Sequence, residues 1–329
     1  MKILYLSPMS IAGGGQRHAQ VFSDGMREKG HDVEIVFTRI GHRGCMFHFL
    51  LRDRVVDDLC YRYDDPTYPG DMGRHIDTQQ HDYLMVDNDE RLPEIWAHSS
   101  RLQSGACKVV FVIHTENKPE SQLRSLTGKI WKLICVSHKI ADRFKWAHPV
   151  VIHNNVPRPA SIGINVRQFM HIPADAFVIG YMGRLDGNKD PEFLLKIARD
   201  NDWWVLIVGK GPIAVPVSMT PRVRIFPNEV AMPGDWYSAM NVYVLPSRSE
   251  GFPLAPIEAL KSLTSVAMTP TSDFPDVFNE FRSVRFFEHG NLIDAREKIE
   301  SLEADHPLDN LQRHPSDCMV ERYCEVMEI

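Results

Sequence analysis

Two glutamates eight residues apart, Glu250 and Glu258, lie in the string Pro246-Ser-Arg-Ser-Glu-Gly-Phe-Pro-Leu-Ala-Pro-Ile-Glu-Ala-Leu260. The apolar run Val242 to Leu245 ahead of it reads as a strand, and the string itself reads as a turn into a helix from Pro253 to Leu263. Proline suits the first helical turn, where its missing N–H has no intrahelical partner to lose. The amides of Gly251, Phe252 and Leu254 then face out of the helix start, where unpaired donors and the dipole favour a phosphate group. Glu258, one turn inside, reaches the same ligand, and an ionised carboxylate accepts two hydrogen bonds from a cis-diol such as a ribose. Taken singly each carboxylate has an ordinary reading, Glu258 in a surface ion pair and Glu250 beside the positive end of the helix.

Other residues offer chemistry at the ends of apolar runs. His114 follows Val110-Phe-Val-Ile at the carboxyl side of a strand, where open α/β sheets bind ligands, although a lone histidine is more often structural. Gly13-Gly-Gly15 follows the first strand and is either a tight turn or a phosphate-facing loop. It does not fit the G-x-G-x-x-G spacing of a nicotinamide site, because His18 stands at the third glycine position. The histidines include no His-x3-His pair and no neighbouring cysteine cluster, so no metal site is expected.

The elements that must position these residues alternate along the chain. Strand readings at Lys2 to Ser7, Val33 to Phe37, Tyr83 to Val86, Val109 to Ile113, Leu133 to Val136 and Val150 to Ile152 are separated by helical patterns at Gln16 to Glu28, Leu92 to Gln103 and Ser137 to Trp146. After a Pro/Asn-rich stretch, His153 to Gly163, a second series begins: Phe177 to Met182, helix Pro191 to Arg199, Trp204 to Val208, Val223 to Phe226, a helix near Trp236 to Met240, and Val242 to Leu245. Repeated βαβ units imply parallel sheets covered by helices. The expected fold class is therefore α/β, with two Rossmann-like doubly wound domains. Residues 1–158 form the first, residues 159–310 the second, and a helix in 311–329 crosses back onto the first.

Composition fits that division. The 329 residues are 43% hydrophobic and 24% charged with a net charge of −6, which suits two globular domains and disfavours a nucleic-acid partner. Met1 to Ser10 is too short an apolar run for a signal or membrane span, so a cytoplasmic location is expected. The six cysteines include no Cys-x-x-Cys pair and read as reduced and packed. Cys45 to Leu59, within the poorly legible residues 39–82, looks amphipathic, with bases matched by acids, so peripheral membrane contact is not indicated.

The string from Glu250 to Glu258 resembles the Glu-x7-Glu signature of retaining glycosyltransferases of family 4, the glycosyl transferases group 1, which have the two-domain GT-B fold with the domains facing across a cleft. Other matches follow in order. Gly13-Gly-Gly-Gln-Arg-His-Ala19 resembles the family's amino-terminal glycine loop, Met182-Gly-Arg-Leu185 with Lys189 its Gly-Arg-Leu…Lys segment, and Val208-Gly-Lys-Gly-Pro212 its Gly-x-Gly-Pro turn. Cys135-Val-Ser137 and Val151-Ile-His-Asn-Asn-Val156 are similar to further family segments. The resemblance covers most of residues 1 to 40 and 108 to 290.

It implies a metal-independent hexosyltransferase, with no cofactor beyond the nucleotide-diphosphate sugar it consumes and uridine diphosphate favoured over guanosine diphosphate. The acceptor would be a glycan, a lipid-linked or a small-molecule hydroxyl. Arg184 and Lys189 would hold the diphosphate, Glu258 the ribose, and Glu250 and His114 the transferred sugar. Gly14, Gly15, Gly211, Gly251, Phe252, Pro253 and Leu254 would line the donor. Fixed cations and helix amides suit the negative charge that grows on the leaving phosphate. Asp87-Asn-Asp89 looks like the aspartate pair of the metal-dependent glycosyltransferases, but it lies far from the diphosphate segment and Asp89 fits a helix N-cap.

The sequence departs from the family at Asn154-Asn155, where Asn-Gly is usual, and an asparagine also tolerates the left-handed conformation that a glycine would serve there. It also lacks a glycine in Leu260-Lys-Ser-Leu-Thr-Ser-Val-Ala267, and Asp190 follows Lys189 as a helix cap or as a charge tuning the diphosphate site. The alternatives are a nucleotide-sugar epimerase, a phosphorylase or a non-catalytic binding protein of the same fold, and last a nicotinamide-dependent oxidoreductase.

Overall fold

The computed structural model describes residues 1–7, 14–37, 66–87, 91–116, 118–213, 221–227, 230, 232–302 and 318–329. The chain divides into two compact units, Met1–Asn155 with Pro315–Ile329, and Val156–His314. Gly13, Asp89, the segment Cys45 to Leu59 and the stretch Leu311 to Ser316 fall outside the described residues.

In the first unit β1 (Lys2–Ser7), β2 (Asp32–Phe37), β3 (Tyr83–Asp87), β4 (Lys108–Ile113), β5 (Lys132–Cys135) and β6 (Val150–Val151) form one parallel sheet in the order β2-β1-β3-β4-β5-β6. A parallel sheet is covered on both faces, so the inner stretches of its central strands are apolar, and Ile3, Leu4, Tyr5 and Leu6 are all buried. Helix Gly14–Glu28 buries Ala19, Phe22 and Met26, spaced three and four apart to face the sheet. Helix Met319–Met327 packs on it. A Cβ at Gly25 would lie 2.4 Å from Val320, so this glycine sets how closely the two helices approach.

Helix Tyr68–Gln79 falls in the stretch the sequence left unread. Its two inner glycines and its proline lower helix propensity, but the proline sits in the first turn and Gly73 is required by packing, since a Cβ there would meet the His98 carbonyl at 2.4 Å. Tyr68, Met72 and Ile76 form its buried stripe. The single helix expected from Leu92 to Gln103 is two, Leu92–Ala97 and Ser100–Ser104. Ser99 between them is extended and its hydroxyl accepts the Leu102 amide as an N-cap. Arg91 holds the cap position of the earlier helix, with no side-chain cap.

In the second unit β7 (Val178–Met182), β8 (Trp204–Val208), β9 (Val223–Phe226), β10 (Val242–Leu245), β11 (Ser265–Met268) and β12 (Val284–Phe286) are parallel in the order β12-β11-β10-β7-β8-β9. The chain winds outward from β7 to β9, then returns to the other side of β7 with β10. That reversal makes the gap between β7 and β10 a topological switch point, where loops after neighbouring strands diverge and leave a crevice. In the first sheet the reversal lies between β1 and β3.

Two local expectations are corrected. Pro253 is extended (φ −71°, ψ 134°) and caps helix Leu254–Lys261 rather than opening it. Asn154 and Asn155 are not among the left-handed residues, whereas Leu263 is, with φ 66° at the turn where the usual glycine is missing. The Pro/Asn-rich stretch from His153 to Gly163 contains the boundary between the two units, and its later part is fastened down. The Asp235 carboxylate accepts bonds from the Ser161 hydroxyl and the amides of Ile162 and Gly163, which fastens residues 161–163 to helix Pro233–Ser238. Among the described residues Cys107, Cys135, Cys318 and Cys324 are free thiols, and no helix is long and apolar enough to cross a membrane.

Candidate functional site

In the second unit the loops after β7 and β10 are laced together. Asp186 Oδ1 accepts the amides of Asn188 and Lys189, both at 3.0 Å, folding the first loop into a tight turn. Asn188 then donates from its side chain to the Ser249 carbonyl at 2.7 Å and accepts the Arg248 amide at 2.8 Å. Lys189 Nζ lies 2.5 Å from Glu250 Oε1, with only 23% and 10% of the two side chains exposed. A partly buried pair of this kind holds both ends in place because removing one charge strands the other.

Arg184 leaves the same loop with its guanidinium largely exposed and bonded to Asp186 at 2.7 Å. Asp190 is not a side-chain cap. Pro191 holds that position, and Asp190 Oδ2 pairs with Arg248 and His289, each at 3.2 Å. Beneath the loops the Tyr181 hydroxyl donates to the Arg184 carbonyl at 2.7 Å. Burial pushes that phenol well above its ordinary pKa, helped by the negative charge of Glu250 and Asp186, so it stays a neutral donor.

Helix Leu254–Lys261 starts from the loop after β10. Because Pro253 and Pro256 carry no N–H, the amides of Leu254 and Ala255 are the donors its first turn presents, and no side chain caps them. Glu258 Oε2 accepts the Tyr237 hydroxyl at 3.0 Å, which fixes the carboxylate on the helix. Phe252 is buried against Phe274, with ring centroids 5.4 Å apart, and anchors the turn. The Gly251 carbonyl accepts the Ser272 hydroxyl. Gly211 has a packing reason to be glycine, since a Cβ there would lie 2.1 Å from the Leu185 carbonyl oxygen.

The first unit holds its own set, at the carboxyl ends of β1, β3 and β4. Gly14 and Gly15 open the first helix. Nothing crowds Gly14, but a Cβ on Gly15 would sit 2.7 Å from Asp87 Oδ2. Asp87 ends β3 and His114 follows β4. The imidazole Nε2 lies 3.7 Å from Asp87 Oδ1, too far for a hydrogen bond, and both it and Asp87 Oδ2 are buried without a bonded partner among the described residues. Burial raises the Asp87 pKa, against the opposing pull of His114 and Lys118.

His18 fills the space behind. It bonds the hydroxyls of Tyr5 at 2.9 Å and Tyr323 at 3.0 Å, and its ring meets that of His114 edge-on at 4.7 Å. Burial first, then the neighbouring His114, push the His18 pKa well below its ordinary value, so His18 is a neutral spacer. Asp87, Asp186, Asn188 and Arg248 are the participants that sequence reasoning left without a role. Asp87 carries a signal in its position, at the end of a strand flanking the switch point.

Residues 165–315 match the model of the family described as glycosyl transferases group 1. The chain is 30% identical to a D-inositol 3-phosphate glycosyltransferase of Streptosporangium roseum, over 35% of this chain and 32% of that protein. It is 21% identical to the lipopolysaccharide core biosynthesis mannosyltransferase LpcC of Rhizobium leguminosarum bv. viciae, over 52% and 53%. The chain thus spans a third to a half of the length of these two relatives. Two crystal structures share its fold over nearly the whole chain. A glycosyltransferase from Rickettsia africae has a TM-score of 0.79 at 14% identity, covering 99% of this chain and 97% of that one. Anabaena HepE in complex with UDP and glucose has a TM-score of 0.77 at 14% identity, covering 100% and 99%. With two six-stranded doubly wound sheets and those full-length structural likenesses, the chain has the GT-B fold, and residues 165–315 of it are similar to the glycosyl transferases group 1 family.

Proposed function

We propose that the protein is a glycosyltransferase that takes a hexose from a nucleoside-diphosphate donor, UDP-sugar before GDP-sugar, and passes it to a hydroxyl acceptor on a glycan, a lipid or a small molecule. The observation that carries this reading is the Lys189–Glu250 pair at the switch point between β7 and β10, beside the open start of helix Leu254–Lys261. In open α/β sheets this is the place for a ligand, and here it offers a cation, two amides and a carboxylate within one pair of loops.

In this reading Lys189 and Arg184 neutralise the charge that develops on the diphosphate as the glycosidic bond breaks, and the Leu254 and Ala255 amides share it. Glu258 takes the ribose hydroxyls and Glu250 those of the sugar, and Gly211, Gly251, Phe252 and Pro253 shape the walls. Protein cations supply the positive charge, so transfer needs no metal. It proceeds with retention, the donor phosphate taking the acceptor proton. UDP bound to HepE supports the preference for uridine.

The test is a thermal-shift panel of uridine, guanosine, adenosine, thymidine and cytidine diphosphates, with magnesium and with EDTA, since a ligand that binds only the folded state raises its apparent stability. A shift with one diphosphate that persists in EDTA is the expected result. No shift with any of them in a folded sample contradicts the proposal.

A further inference from the structure

Near the amino-terminal end of the first sheet, the structure gathers three side chains that the sequence scatters. Glu34 lies on edge strand β2, His75 on helix Tyr68–Gln79, and His81 in the turn between that helix and β3. Both imidazoles present Nε2 to the same carboxylate oxygen, Glu34 Oε2, at 2.7 Å from His75 and 3.1 Å from His81. One ligand atom from each of the three lies within 4.8 Å of the others. The second oxygen, Oε1, is left to the Lys2 ammonium at 3.5 Å, which is itself held by Gln79 at 2.9 Å.

The frame around these atoms is built. Gln80 adopts a left-handed conformation (φ 57°) that ends the helix and turns His81 inward, the His81 amide donates to the Ile76 carbonyl at 3.2 Å, and its carbonyl accepts Arg101 Nε at 3.1 Å. His81 is wholly buried, and its Nδ1 has no bonded partner among the described residues. The plain reading is a carboxylate receiving two imidazole N–H bonds, but one imidazole and Lys2 already suffice for Glu34.

We propose that Glu34, His75 and His81 form a three-ligand site for a divalent transition metal, Zn2+ first, with water completing the shell. Two imidazoles and a carboxylate are the donors zinc takes, whereas magnesium and calcium prefer oxygen throughout. Tetrahedral zinc at its usual bond lengths spaces its ligands roughly 3.3 Å apart, so the present contacts need open by only about half an ångström. The bound ion clamps the edge strand to the helix and to the start of β3. His114 and Asp87 stand at the other, carboxyl ends of these strands, so the metal stabilises the unit and takes no part in transfer.

The experiment strips the full chain with EDTA and titrates it with Zn2+ in competition with a chromogenic chelator. One tight equivalent is expected in the wild type and in the exposed-histidine control His98→Ala. Glu34→Gln, which keeps the shape of the side chain, and His75→Ala each weaken it at least tenfold. Circular dichroism and an unchanged thermal shift with uridine diphosphate verify that both variants are folded, and this second readout keeps the metal site separate from the donor reading. A wild type with no tight equivalent overturns the proposal, as does an equivalent that both substitutions leave intact.

Discussion

Lys189 and Glu250 are 61 residues apart in the chain and 2.5 Å apart in space, and the turn that Asp186 folds brings them together. The role of Lys189 predicts a kinetic signature. Lys189→Ala removes charge that matters most as the leaving group forms, so it should lower kcat by roughly 10²-fold with little change in KM. Arg184→Ala should act in the same direction and more weakly, because its side chain is 72% exposed and its guanidinium is shared with Asp186. Steady-state rates on a turned-over nucleotide-sugar check both, and unchanged turnover in the two variants would remove the assignment.

At the scale of elements, the turn after helix Leu254–Lys261 stores strain that the sequence announced by its missing glycine. Leu263 sits at φ 66° with 42% of its surface exposed, so Leu263→Gly gives up little packing. Relief of the left-handed penalty outweighs the entropy of the added glycine, and a stabilisation of about 0.5–1 kcal/mol is expected in thermal or urea unfolding.

A second element-scale prediction concerns the chain leading into the second unit. Hydrogen bonds from the Ser161 hydroxyl, and from the amides of Ile162, Gly163 and Ile164, outweigh burial and hold the Asp235 pKa below its ordinary value. A lowered folded pKa contributes stability that is full above the unfolded value, about 3.9, and is lost as pH falls through the folded one. Asp235→Asn should therefore be destabilised at neutral pH and draw level with the wild type in acid. A difference that stays constant down to pH 2 would contradict this account.

Legibility followed the same physics. Buried parallel strands are continuous apolar runs, so β1, β8 and β10 were readable to the residue. Helix Tyr68–Gln79 was not, because its glycines answer to a neighbouring carbonyl that the sequence does not show. At the candidate site the charged residues stood out by motif. Of the groups that set their geometry, Asn188 and Arg248 act through contacts some 60 residues away, which no local pattern announces, and Asp186 through amides two and three residues on.

At the scale of the whole molecule, the chain closes the first unit with its last helix. Tyr323 is fully buried, bonds His18 across 305 residues and packs its ring on Phe22 at 5.1 Å, while the Tyr83 hydroxyl donates to the Met327 carbonyl at 2.5 Å. Truncation before Met319 would strand the His18 nitrogen and uncover Phe22 and Met26. A loss of several kcal/mol is expected, since cavities and unpaired buried polar groups each cost about 2–5 and 1–3 kcal/mol. Tyr323→Phe, which keeps the ring and removes only the hydroxyl, should cost about 1–3 kcal/mol. Differential scanning calorimetry separates the two.

The central claim is that the switch point of the second sheet holds the nucleoside diphosphate of a sugar donor. The most direct measurement is a calorimetric titration of uridine diphosphate, in EDTA, into the wild type and Glu258→Ala. Binding by the wild type, weakened about ten- to hundredfold by loss of the carboxylate that takes the ribose, is the predicted result. Equal affinity in the two proteins, or no binding in a folded wild type by this or any other nucleoside diphosphate, would contradict it.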